Sequence, residues 1–421
     1  MIRANDPQLK SWLTVPENSD FPIQNLPLGV IKRGDVYHVA SRIGDLAVDL
    51  AVLNKSGLLG VNYVDEIFEN EFINDCIGLG KEMMRDLRNR LSQLLSDRHD
   101  ALRLNLDLRS ECLIPISEVE VRMPVKVNNY TDFYSSLEHA TNAGSMFRGK
   151  ENALLPNWKH LPVGYHGRAS SIVVSGTPIR RPKGQTKAPD QESPVFGPTA
   201  QLDFELEMAF ITCNSNALGS PVSIEDAEDY IFGLVLFNDW SARDIQSWEY
   251  VPLGPFLSKS FASSISAWVV SLDALKPFRV PGPKQEPTPL PYLQFTGDQN
   301  LDIELEVLLE TTRFMPTPIV HTNSKYLYWN MAQQIAHQTV NGCNIQVGDL
   351  YASGTISGPI RDSFGSMLEL TWRGTEPLKL PNNTERKFIL DHDTVIMRGF
   401  ARNNGVRIGF GELRNTVLPA E

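Results

Sequence analysis

Apolar positions follow two different patterns along this chain. Before residue 81 they come in short runs broken by turn residues. Residues 31–40 and 46–53 are β-branched and apolar at strand length, which predicts strands. The spacing then changes to three and four: Met84, Leu87, Leu91, Leu94 and Leu95 form one stripe and predict a helix over 81–96. A polar stretch leading to Pro115 and Pro124 reads as a boundary, placed at residue 124. Beyond it strand-length segments recur at 171–175, 202–212, 232–237, 266–271, 301–309, 367–372 and 394–400. Helices are sparse. Ser223, with Asp226 three residues on, marks one helix start, and 326–338 predicts another. Two connections are long, 178–198 and 275–291, the second with six prolines. Connections of that length inside a compact domain usually cover a site or an interface. The pattern predicts a small β-rich N-terminal domain, 1–124, and a larger β-rich domain with few helices, 125–421.

Composition narrows the function classes. A chain of 421 residues has room for roughly one to three domains, and 42% apolar with 21% charged residues is ordinary globular usage. No period of a solenoid or propeller repeats. The 39 Lys and Arg against 50 Asp and Glu leave a net charge of −11 with no basic run, a poor match for nucleic acid. No apolar run approaches the about 20 residues a membrane span needs. Met1-Ile-Arg-Ala-Asn-Asp6 lacks an apolar targeting region, so the expected place is the cytoplasm. Cys76, Cys112, Cys213 and Cys343 are scattered singly. That excludes a zinc knuckle or disulfide framework and fits free thiols in a reducing compartment.

Three segments carry candidate chemistry. In Asp203-Phe-Glu205-Leu-Glu207, strand alternation puts the three carboxylates on one face and Phe204, Leu206 and Met208 on the other. Carboxylates two residues apart stand about 6.6–6.8 Å from each other and repel unless water or a cation lies between them. Two readings follow: a solvated sheet edge, or a cation site. In Asn238-Asp239-Trp-Ser-Ala-Arg243-Asp-Ile-Gln246 a helix starting at the end of a strand would align Asp239, Arg243 and Gln246 at i, i+4 and i+7. That alignment is either a solvated ion pair or the lip of a site. In the third segment Asp132 reads as a helix N-cap, with Tyr134 close by and His139 seven residues on. Oxygen donors without a Cys/His cluster favour Mg²⁺ or Ca²⁺ over Zn²⁺. Ser353-Gly-Thr-Ile-Ser-Gly358 reads as a close-approach loop where Thr355 meets a ligand. Dinucleotide, P-loop, zincin and nucleophile-elbow motifs are missing from the sequence.

Longer stretches add a resemblance. Asp132-Phe-Tyr-Ser-Ser, Asn157-Trp158, Leu161-Pro-Val-Gly-Tyr-His-Gly-Arg-Ala-Ser-Ser171 and Asp203-Phe-Glu-Leu-Glu-Met-Ala-Phe210 resemble the fumarylacetoacetase (fumarylacetoacetate hydrolase) family. So do Asn238-Asp-Trp-Ser-Ala-Arg-Asp-Ile-Gln246, Trp248-Glu-Tyr-Val-Pro-Leu-Gly-Pro-Phe256 and the 353–358 loop. The likeness is weakest before residue 15 and around 180–200 and 292–325.

The resemblance implies a mainly β fold with some α: a small SH3-like N-terminal domain and a C-terminal mixed β-sandwich roll, in a homodimer. It implies metal-dependent cleavage of 4-fumarylacetoacetate to fumarate and acetoacetate, the last step of tyrosine and phenylalanine catabolism. Carried over by position, Asp132, Glu205, Glu207 and Asp239 would hold Mg²⁺ and/or Ca²⁺. His139 would be the base, oriented by Glu369. Arg243, Gln246 and Lys259 would form the oxyanion pocket, and Tyr134, Arg148, Tyr165, Gln246, Tyr250 and Thr355 would contact the diketo dicarboxylate. The alternatives are another reaction of the superfamily on an oxo or diketo acid, which an intact His139 argues against, and a non-catalytic metal-binding protein. One departure stands out. Ala262-Ser263 replaces the family's usual Gly-Thr after Lys259-Ser-Phe, and alanine does not take positive φ as readily as glycine. The change bears on the local loop geometry and on a second cation contact there.

Overall fold

The structure, a computed structural model, describes residues 2–61 and 63–421. The run read as one strand over 31–40 is a hairpin. Gly34, at φ +60°, turns the chain between β1 (Leu28–Arg33) and β2 (Val36–Ile43). The run over 46–53 also divides. β3 (Leu46–Asp49) ends at a carboxylate that accepts the N–H groups of Ala51 and Val52 and so starts α1 (Leu50–Lys55). α2 (Lys81–Leu95) forms where the stripe placed it, with all five stripe residues buried. With β4 (Leu113–Pro115) and β5 (Glu120–Arg122), these strands make an antiparallel sheet in the order β4-β3-β2-β1-β5.

The strands that follow are β6 (Tyr130–Phe133), β7 (Gly164–His166), β8 (Ile172–Val174), β9 (Leu206–Thr212), β10 (Ile231–Asp239) and β11 (Ser263–Ile265). After them come β12 (Ile303–Thr311), β13 (Phe314–Asn323), β14 (Leu350–Ala352), β15 (Thr394–Asn403) and β16 (Val406–Leu418). One sheet runs β7-β6-β14-β9-β10-β11-β8, with β6/β14 and β11/β8 parallel; a second runs β13-β12-β15-β16. The architecture is mainly β with some α, in an N-terminal and a larger C-terminal part, as the sequence implied.

Both faces of the first sheet are buried. Leu206, Met208, Phe210, Leu234 and Leu236 pack toward Ile303, Leu305, Val307 and Met397 of the second sheet. Ala209, Ile211, Val235 and Phe237 face the N-terminal part, where Val30, Val39, Leu87, Leu91 and Leu94 complete a separate core. The polar face expected on this strand is therefore not a solvated edge.

Three expectations fail for local reasons. Residues 367–372 are not a strand: Ser366 caps a one-turn helix (Met367–Leu370), and Trp372 and Arg373, at φ 47° and 58°, end it. The helix expected from Ser223 shrinks to the turn Ala227–Tyr230. The helix expected from 326 starts only at Met331, where Asn330 and Gln333 form a capping box, and ends at Thr339. Neither long connection reaches the cavity described below. A hairpin inside the first (Lys183–Thr186 with Val195–Pro198) lies against Ile245 and Trp248, and Gln285 of the second bonds to Tyr328 and Gln333.

Candidate active site and metal centre

Strand periodicity builds the acidic half of the site. Tyr130 and Asp132 share a face of β6, Phe237 and Asp239 share a face of β10, and Glu207 continues the row of Ala209 and Ile211 on β9. Glu207 pairs with Phe237, and Ala352 pairs with both Asp132 and Ala209, so the three rows end together. Glu205 joins from the break before β9. Oxygens of Asp132, Glu205, Glu207 and Asp239 lie within 4.8 Å of one another, and all four residues are buried. Asp203 is not among them. It turns the other way, accepting the N–H groups of Met367 and Leu368 at 2.7 and 2.9 Å and Arg243 Nε at 2.9 Å. Asp239 ends a strand and does not begin a helix: after α3 (Leu137–Arg148), the next long helix, α4 (Arg243–Glu249), starts four residues beyond Asp239. The i, i+4, i+7 face was thus wrong in form: Arg243 Nη1 donates to Gln246 Oε1 at 3.3 Å, whereas Asp239 bonds to Tyr165, Lys259 and Ser263.

The electrostatics favour a cation. Burial and like-charged neighbours push the Asp132 and Glu207 carboxyls well above the usual carboxylate range. Burial would raise Glu205 too, but Lys259 and Arg243 outweigh it and bring that carboxyl to about 2. Lys259 Nζ bonds Glu205 and lies 2.7 Å from Asp239 Oδ2, and Arg243 Nη2 stands 2.8 Å from Glu205 Oε1. These two cations do not balance the four acids. Asp132 Oδ1 and Glu207 Oε1 are buried with no hydrogen-bond partner. Orphaned buried oxygens in an all-oxygen donor set fit a divalent ion. A loading experiment tests this: binding should release protons and tighten as pH rises, because the ion displaces protons from Asp132 and Glu207, whose carboxyls are shifted upward. Titration calorimetry in buffers of different ionisation enthalpy reads both effects, and a pH-independent affinity would contradict the assignment.

Another part of the site carries His139. Asp132 is not the N-cap of α3; Ser136 is, accepting the His139 N–H at 3.2 Å. His139 is buried, its Nδ1 lies 2.7 Å from Glu369 Oε2, and Tyr134 meets the ring edge-on at 5.3 Å between centroids. Burial would raise Glu369, but the imidazole and the hydrogen bonds from Asn142 and Ser366 hold its carboxyl below the usual range. An ionised Glu369 keeps the proton on Nδ1 and leaves Nε2 to accept.

A cavity of about 530 Å³ joins the two parts. Asp132, Tyr134, His139, Arg148, Tyr165, Glu205, Arg243, Gln246, Tyr250, Lys259 and Thr355 all line it; Glu207, Asp239 and Glu369 stand directly behind. Tyr165 donates to Asp239 Oδ2 at 2.8 Å. Thr355 is buried with its hydroxyl unpartnered, on a loop that Gly354 (φ +76°) lets pass against β6: a Cβ there would lie 2.2 Å from the Phe133 carbonyl oxygen. The Gly354 N–H donates to Glu207 Oε2 at 2.9 Å. Arg148 lines the cavity with part of its guanidinium already engaged. Its Nε and Nη2 already bond to the carbonyls of Asn152 and Ala153, so it offers Nη1 and not a free fork. Ala262 has no positive φ, so the Gly-to-Ala change costs the loop nothing, and Ser263 Oγ donates to Asp239 Oδ1 at 2.9 Å.

Relatives place this geometry in a family. Residues 24–124 match the fumarylacetoacetase N-terminal family and residues 128–418 the fumarylacetoacetate (FAA) hydrolase C-terminal family. The chain belongs to the fumarylacetoacetase family. It is 52% identical over 421 residues to the fumarylacetoacetase of Dictyostelium discoideum, covering 98% of this chain and 99% of that one. It is also 52% identical over 415 residues to that of Homo sapiens, covering 97% and 99%. Among solved structures, a fumarylacetoacetate hydrolase from Exiguobacterium antarcticum superposes with a TM-score of 0.52 at 16% identity, over 94% of this chain and all of that one. That likeness speaks for the fold alone. Sequence reading of this fumarylacetoacetase-family chain missed Asn142, Ser357 and the Asp203–Arg243 clamp. Only three-dimensional contact brings them to the site, and the one signal available was the position of Asn142 one turn after His139.

Proposed function

We propose that the chain is a divalent-metal-dependent hydrolase that cleaves the carbon–carbon bond of 4-fumarylacetoacetate, giving fumarate and acetoacetate. The observation that carries this reading is one cavity lined by Asp132 and Glu205 of the four-carboxylate cluster and by His139, which is backed by Glu369. The names of relatives at about 50% identity over the whole chain support it. So do a cavity large enough for an eight-carbon diketo dicarboxylate and the cations Arg148, Arg243 and Lys259 on its walls.

His139 Nε2 takes a proton from water, whose oxygen adds to the carbonyl carbon of the fumaroyl group. Arg243, Gln246 and Lys259 stand where the oxyanion develops. Gln246 Oε1 accepts from Arg243 Nη1 at 3.3 Å, which leaves its amide N–H groups for substrate. Donors of this kind are worth about 3–4 kcal/mol each. The carbon–carbon bond then breaks, its electron pair passes to the acetoacetate enolate, and the proton held by His139 returns to that carbon. Asp132, Glu205, Glu207 and Asp239 hold the ion, read as Mg²⁺ or Ca²⁺ from the oxygen donors. When bound, it supplies a Lewis acid for the diketone oxygens and the enolate charge. Tyr134, Arg148, Tyr165, Tyr250 and Thr355 orient the substrate. Loss of the diketone absorbance, with and without chelator, tests the reading; no turnover by the metal-loaded protein would refute it.

Arg243 discriminates charge balance from oxyanion binding. Arg243→Lys keeps the charge but not the planar donor fork that meets Asp203, Glu205 and Gln246. The expected result is a loss of tenfold or more in kcat, toward the ~10²–10³ that one such donor supplies, with metal affinity nearly intact. Wild-type kcat at saturating Mg²⁺ or Ca²⁺ would reduce Arg243 to a counter-ion.

The reading extends to context. It assigns the enzyme to the last step of tyrosine and phenylalanine catabolism and to the cytoplasm, which four free thiols support. Among the described residues no helix is long and apolar enough to cross a membrane. We place the domain boundary at residue 124, and assign a homodimer, supported by the exposed apolar side chains Val251, Leu253, Phe256 and Leu257 beside the cavity. Sedimentation equilibrium tests the oligomer.

A further inference from the structure

We propose that Ser357 and Asn142 are positioning residues of the reaction: from opposite sides they fix the Glu369 carboxylate so that Oε2 meets His139 Nδ1. The catalytic part of this inference rests on the hydrolase reading above.

Ser357 is fully buried, and its hydroxyl oxygen lies 3.0 and 2.9 Å from the two carboxylate oxygens of Glu369. The Gly365 N–H donates to that same hydroxyl oxygen at 3.0 Å, so the single hydroxyl proton goes to Glu369. The main chain of Ser357 works at the other end of the pair. Its carbonyl accepts the Ser136 hydroxyl at 3.2 Å, and Ser136 in turn caps α3 at the His139 N–H. One residue therefore ties the carboxylate to the start of the helix that carries the base. It also lies two positions after Thr355, which faces the cavity.

Asn142 closes the other side. It stands three residues after His139 on α3, the spacing that puts both side chains on one helix face. Its Nδ2 donates to Glu369 Oε1 at 2.9 Å. Ser366 donates to Oε2 at 2.9 Å, but that serine also caps the helix bearing Glu369 and is accounted for locally. With Oε1 held by Asn142 and Ser357, rotating the carboxylate away from His139 would break buried hydrogen bonds that nothing nearby replaces. Neither Asn142 nor Ser357 lines the cavity, so neither touches substrate. Their effect passes through Glu369 to the proton on Nδ1, the second-sphere role that orients a ligand or base in other sites.

The test uses Ser357→Ala and Asn142→Ala in the metal-loaded full chain, each alone and combined with Glu369→Ala. Expected for each single variant is a fall of about 10–100-fold in kcat, with KM within about twofold and divalent-ion affinity unchanged. In the Glu369→Ala background the same substitutions should cost nothing more, because the group they position is gone. A second readout needs no substrate: the low-field proton resonance of His139 Nδ1–H, assigned by its loss in His139→Ala, should shift or broaden in both variants. Unchanged kcat, an equal loss with and without Glu369, or an unmoved resonance would each overturn the inference. If the wild-type protein does not cleave fumarylacetoacetate, the hydrolase reading fails and the resonance alone decides the positioning role. Should Ser357→Ala not fold, Asn142→Ala, at a half-buried position, carries the same test.

Discussion

His139→Ala is expected to lower kcat by about 10²–10⁴, the range of a general base, while the protein still binds its divalent ion. The geometry separates the two functions. His139 is 4% exposed, bonds through Nδ1 to Glu369 and stands outside the carboxylate cluster, so its removal takes no oxygen from the ion. KM should change little, because the ring meets water and not a substrate carboxylate. Steady-state kinetics combined with metal analysis reads both halves. Loss of metal would reassign the imidazole as a ligand, and an unchanged kcat would remove it from the mechanism.

Asp239→Asn is expected to be still more damaging, taking turnover below detection and weakening the ion by about 10–100-fold or more. Asp239 Oδ2 accepts from Tyr165 at 2.8 Å and Lys259 at 2.7 Å, and Oδ1 accepts from Ser263 at 2.9 Å. An amide at this position presents an NH₂ group to donors and removes a negative charge that Lys259 needs. Burial works against the Lys259 charge, and Asp239 and Glu205 are what raise its affinity for the proton. The substitution therefore loosens the ion, the ammonium and the Tyr165 hydroxyl together. Glu205→Gln should behave similarly, since Glu205 faces both cations. Circular dichroism should show the fold retained. Full activity after exhaustive chelation, with the site proven empty by metal analysis, would overturn both predictions.

The alphabet of the site was legible in the sequence, and its grammar was not. Glu205, Glu207, Asp239 and Asp132 stood out as carboxylates near strand-like runs, and they converge. The elements that carry them were partly misread. Asp132 looked like a helix cap because Asp is a good one, but the chain stays extended through Phe133 and Ser136 takes that role. Residues 367–372 looked like a strand because a short apolar run has no period long enough to tell the two apart; the hydrogen bond from Glu369 N–H to Ser366 decides it. The stripe of α2 was readable because it runs over four turns and keeps its apolar residues on one buried face. The strand faces were harder, since both sides of β9 and β10 are buried and alternation no longer marks an outside. Arg243 and Asp203, 40 residues apart, meet only through tertiary folding.

The rows on β6, β9 and β10 that end in carboxylates begin in the apolar seam between the two parts of the chain. From Val235 to Asp239 is four residues, about 13 Å of extended strand. The ion's anchor points are thus rooted in the same side chains that hold the N-terminal helix and sheet in place. An ion bound there would stabilise the folded chain as a whole, by about 2.7 kcal/mol when present at a hundred times its dissociation constant. Any opening of the seam that pulled these strand rows apart would also scatter the four carboxylates, so an ion that needs all of them would resist that opening.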